Sequence, residues 1–105
     1  TFSNGCERAT RLRDKTAILG RLQHARDRGE RFKTFLDDPD VAAFFTAYER
    51  VEIDAMLKAS PTDDETRRAH ALAINSMRAF RAFLSAAVVT GETAGDTLKR
   101  DTHGR

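Results

Sequence analysis

Residues 36–65 read LDDPDVAAFFTAYERVEIDAMLKASPTDDE, and this stretch decides the fold. Asp38 is an N-cap that can accept hydrogen bonds from free backbone N–H groups. Pro39 at the first helical position forfeits no bond it would have made. Asp40 then places negative charge where the helix dipole favours it. The helix so started should run to about Ala59 and stop before Pro61, because the residue preceding proline disfavours the helical conformation. A second start follows at once: Thr62 as N-cap, Glu65 three residues on to complete a capping box, and Asp63 and Asp64 in the first turn. The short link at Ser60–Pro61 forces the two helices to run antiparallel.

Working outward, the hairpin predicted by these signals spans about 38–59 and 63–90, with Gly91 as a left-handed cap. Counting from Pro61 sets Phe44 and Phe45 level with Met77 and Phe80, and Ile53 level with Ala69. Upstream, Asn4 with Glu7 forms another capping-box pattern. Ile18, Leu22, Ala25, Gly29, Phe32 and Leu36 then recur at helical spacing. Gly29, in RDRGER, predicts a break: one helix over about 5–28 and a short one over 30–36, or one bent helix. Beyond Gly91 the only large apolar residue is Leu98, so residues 99–105 are expected to form an extended tail. No strand-like alternation and no internal repeat occurs. The expected fold is all-α and three-helix bundle-like: a long antiparallel helical hairpin with a basic N-terminal helix, in a single domain over residues 1–98.

At 105 residues and 40% apolar content, the chain fits one small globular domain. A domain of this size buries only about two thirds of its unfolded surface, which makes help from a partner useful. The net charge of +2 hides a sharper pattern. Residues 1–36 carry +5, residues 37–66 carry −7 and residues 67–105 carry +4. Such segments can neutralise one another on packing, stack head to tail with further copies, or offer basic helices to nucleic acid. A single cysteine, Cys6, permits no internal disulfide. The apolar runs read as too short to span a bilayer, and the chain is expected to be soluble and cytoplasmic when made.

Chemistry-bearing patterns are few. His24, His70 and His103 have no histidine or cysteine at zinc spacing. Glu49 and Glu52 lie i, i+3, but the Glu-x-x-His pairing of carboxylate metal sites is absent. They read as a solvated face beside an Arg50–Asp54 pair. No phosphate loop or nucleophile elbow is present. No enzyme activity, cofactor, metal or small-molecule substrate is therefore expected. The apolar surface says more. The first hairpin helix carries Val41, Phe44, Phe45, Tyr48, Val51 and Ala55 on one side, and Ile53, Met56 and Leu57 at another angle. The second carries Ala69, Ala73, Met77, Phe80, Leu84 and Ala87, with Leu72, Ile74, Phe83 and Val88 off that stripe. Both faces are wider than a two-helix seam needs, and contiguous apolar surface marks binding sites. Phe44, Phe45, Tyr48, Phe80 and Phe83 are the expected protein-interface residues. Arg11, Arg21, Arg28, Arg67, Arg78 and Arg81 are the candidates for contact with nucleic acid or an acidic partner.

The stretch from Arg28 to Gly95 has a leucine–acid–acid–proline start, a glutamate-bearing helix, a proline–acid turn and an arginine-spaced helix ending in glycine. In this it resembles small helical proteins of tailed phages and prophages. The resemblance covers about two thirds of the chain; residues 1–28 and the tail after Leu98 depart from it. It implies a structural or assembly protein of a virion, present in many copies and without catalytic residues. The expected function is a non-enzymatic interaction subunit, a homo-oligomer or part of a larger assembly. The alternative is a nucleic-acid-associated helical protein using arginines of the first and third helices.

Overall fold

The computed structural model describes residues 2–103, with side chains described over 7–102. The fold is all-α, with no strand among the described residues: α1 (Phe2–Asp37), α2 (Pro39–Lys58) and α3 (Asp64–His103). Asn4 therefore lies inside the first turn of α1 and is not its cap. Its side chain, like those of Cys6 and His103, falls outside the described residues.

The turn chemistry around α2 follows its sequence. A single non-helical residue, Asp38, separates α1 from α2. Its carboxylate accepts the Asp40 N–H at 2.8 Å, and its backbone is extended (φ −65°, ψ 123°), as a residue before proline prefers. At the hairpin turn the cap moves one residue from expectation. Asp63, not Thr62, holds the start of α3, accepting from the Thr66 N–H at 3.1 Å and from the Thr66 hydroxyl at 2.6 Å. Those bonds, the side-chain one first, hold the Asp63 carboxyl below its ordinary value of 3.8. Arg67 reaches back to the Ser60 and Pro61 carbonyls at 2.6 and 2.7 Å and closes the turn.

The chain divides into two compact units. One comprises residues 32–86: the end of α1, all of α2 and α3 up to Ala86. Here α2 and α3 are antiparallel, as Phe45 beside Arg81, Glu49 beside Arg78 and Glu52 beside His70 show. Glu52 meets His70 and Phe45 lies with Met77 where the count from the turn places them, whereas Arg78 and Arg81 meet Glu49 and Phe45, about one helical turn nearer the link than that count. Phe45, Ile74 and Leu84 are the unit's buried residues. Ala69, expected on the inward stripe of α3, is exposed, because the inward row follows His70, Ile74 and Met77.

The other unit pairs α1 up to Arg31 with α3 from Ala87 on. Its seam is made of small residues: Ala87 and Ala94 are buried, and Gly29 lies against Gly91. Neither expected glycine break occurs. α1 is helical through Gly29, and α3 continues through Gly91 to His103, where an extended tail was expected from residue 99. No glycine adopts a positive φ, so Gly91 caps nothing. Both glycines serve close approach. A Cβ on Gly29 would lie 2.9 Å from Gly91 Cα, and one on Gly91 would lie 2.8 Å from the Ala25 carbonyl oxygen. On α1, Leu19 and Leu22 are half-buried, whereas Ile18, expected on the stripe, is exposed.

One expectation about α3 changes with its length. Asp64–Thr102 contains an 18-residue window of mean hydropathy 1.3, so by length and composition this helix is long and apolar enough to cross a bilayer. The core helix of a soluble protein meets the same test.

Candidate protein interface

The α2–α3 hairpin has two unlike faces. On the first, the seam is closed by polar groups. Arg78 Nε donates to Glu49 Oε1 at 2.6 Å, and the Arg81 guanidinium lies over the Phe45 ring, 5.3 Å from its centroid. Between them and Tyr48, Ile74 and Met77 remains a space of about 30 Å³, room for a single water. Nearer the turn, His70 Nδ1 and Glu52 Oε2 are 2.5 Å apart. Glu49 and Glu52 are thus half-buried seam residues and not a solvated face. The signal was in the spacing. Phe45, Glu52 and Ala59, like Ala42, Glu49 and Met56, are seven residues apart, the period of a packed helix seam.

The second face is apolar and open. Phe35 from the end of α1, Phe44, Phe45 and Tyr48 from α2, and Ala73, Ser76, Met77 and Phe80 from α3 line a groove of about 290 Å³. Phe44 packs edge-on against Phe45, with ring centroids 6.0 Å apart, and lies the same distance from Tyr48. Phe44, Phe80 and Phe83 keep 56%, 50% and 63% of their surface exposed, and Leu72 keeps 59%. The two α3 phenylalanines are therefore exposed, as an interface requires, and Tyr48 is half-buried in the groove wall. Phe45 does not belong with them. At 6% exposure, with Arg81 over its ring, it is core and out of a partner's reach.

The arginines divide by unit. Arg67, Arg78 and Arg81, expected to meet phosphate or an acidic partner, are engaged inside the hairpin by turn carbonyls, Glu49 and an aromatic ring. In the unit formed by the α1 N-terminal part, Arg21 is exposed and Arg11 pairs with Glu7 at 3.9 Å, one helical turn away. Arg28 is half-buried, its Nε enclosed and without a hydrogen-bond partner. Among the described residues no three His, Cys, Asp or Glu side chains gather to hold a metal.

Comparison of the chain with protein-family models, with curated proteins and with solved structures gave no match.

Proposed function

We propose that the protein is a non-enzymatic interaction subunit that assembles with copies of itself through the open face of the α2–α3 hairpin. One observation carries this reading: Phe35, Phe44 and Phe80 gather around an uncharged groove on one side of a hairpin whose charged side chains close the other side. Exposing that much aromatic surface to water is costly, and covering it is the usual reason that such a surface exists. That Arg67, Arg78 and Arg81 already have partners inside the hairpin favours this reading over nucleic-acid binding. The resemblance to tailed-phage proteins supplies a setting, a virion or its assembly, in which many copies meet.

The test is sedimentation velocity over a hundredfold concentration range, at low and high salt, with and without a short DNA duplex. The expected result is a species heavier than the 11.7 kDa monomer. It should grow with concentration, be indifferent to the duplex and be lost in Phe44→Glu. A monomer at every concentration sinks the reading. A monomer whose mass rises only with DNA, and falls back in salt, replaces it with nucleic-acid binding through the α1 arginines.

A further inference from the structure

Resting on that reading, we infer that the occupant of the open face is a second copy docked about a two-fold axis, with α3 antiparallel to its counterpart. Along α3, Ala69, Leu72, Ser76, Ala79, Phe83 and Ala86 are all exposed and all uncharged. Their spacing alternates three and four, the period with which helices pack side by side at a shallow angle. Between Ala69 and Gly91 the only charged residues are Arg78 and Arg81. At 100° per residue both fall on the far side of the helix from this row, and both are engaged there, with Glu49 and over Phe45.

The row is self-complementary. An axis passing between Ser76 and Ala79 sets Ser76 opposite the second copy's Ala79, Leu72 opposite its Phe83 and Ala69 opposite its Ala86. Small residues meet small ones at the centre, so the helices can approach closely. Large ones meet large ones on either side, and within the row no charge faces a like charge. Ser76 also lines the groove, which places Phe44 and Phe80 at the flank of the same contact. The area is sufficient. Phe35, Phe44, Leu72, Phe80 and Phe83 keep between 44% and 63% of their surface exposed. With a side chain of this size presenting on the order of 200 Å², that amounts to about 500 Å² per copy. Two copies would then cover about 1,000 Å², where specific interfaces begin.

The experiment uses two full-length chains of distinguishable mass, both carrying Cys6→Ser, one with Ser76→Cys and the other with Ala79→Cys. They are mixed, allowed to exchange, oxidised with copper–phenanthroline and resolved by intact mass. The expected product is the mixed disulfide, exceeding either homodimer several-fold. Leu72→Glu and Phe83→Glu, both at exposed positions, should leave the helical circular dichroism unchanged and each raise the dimer dissociation constant at least 100-fold. An oligomer that yields like-with-like disulfides, or none, overturns the antiparallel two-fold while leaving self-assembly standing. A monomer throughout overturns both. Flotation of the wild-type chain with phosphatidylcholine–phosphatidylglycerol vesicles, lost in Phe83→Glu, would make a bilayer the occupant and overturn the dimer.

Discussion

Gly20 and Gly29 look alike in the sequence, each a glycine inside a basic helix, yet they occupy opposite situations. A Cβ on Gly20 meets nothing within 4 Å, whereas one on Gly29 meets the backbone of α3 at 2.9 and 3.1 Å. Gly20→Ala should therefore stabilise the fold by about 0.5–1 kcal/mol, the helix-propensity gain alone. Gly29→Ala receives the same gain but must push two helix backbones apart, a net loss of about 1–3 kcal/mol. Urea denaturation of the pair checks both signs at once. Asp63 carries a pH signature. Its carboxyl is held low by Thr66, so the folded state binds that proton less readily than the unfolded chain. Its contribution is present in full above the ordinary value of 3.8 and is lost as the pH falls through the lowered value. Asp63→Ala should melt below the wild type at pH 7, with the difference shrinking below about pH 4. Equal differences at pH 7 and pH 2 would show that the cap acts without its charge.

For the elements, local signals and packing had separate authority. Asp38–Pro39–Asp40 starts α2 because one carboxylate and one imino acid satisfy the first turn without help from elsewhere. Asp38→Ala should cost about 1 kcal/mol in chemical denaturation, as helix caps do. At the hairpin turn the expected cap, Thr62, stands beside the residue that serves, Asp63. The choice between them rests on which side chain can hold Thr66 while Arg67 folds back over the turn. The C-terminal part of α3 reversed a local signal altogether. A glycine after a long apolar run is the ordinary end of a helix. Gly91 instead lies against Gly29, and the helix continues through Ala94, which is buried at 3% exposure.

In the whole molecule, charge and apolar surface are sorted. The basic segments at both ends and the acidic middle imply that charges pair across helices, as Arg78 and Glu49 do. The apolar excess leaves Phe44, Phe80 and Phe83 open to be covered by a partner. If that is a second copy, the melting temperature should rise with protein concentration by mass action. Because the contact is apolar, 1 M salt should not abolish that rise, whereas a charge-stacked assembly would come apart. Differential scanning calorimetry at three concentrations and two salt levels separates the cases.

Residue order alone was enough for the all-α class, for α2 to within a residue at each end and for the antiparallel hairpin. Each of these rests on short-range physics: capping, the steric rule before proline, and a link too short to let the next helix run any other way. It also pointed to Phe44, Phe80 and Phe83 as exposed apolar residues, because hydrophobic periodicity wider than one seam is visible in a string of letters. Packing decided what periodicity leaves degenerate. It turned Phe45 inward beside an outward Phe44, and drew Glu49 and Glu52 into the seam against Arg78 and His70. It also made Gly29 and Gly91, far apart in the chain, a point of contact between α1 and α3. A glycine that ends a helix and a glycine that admits a neighbouring backbone are the same residue. The difference lies only in what stands within 3 Å of the missing Cβ.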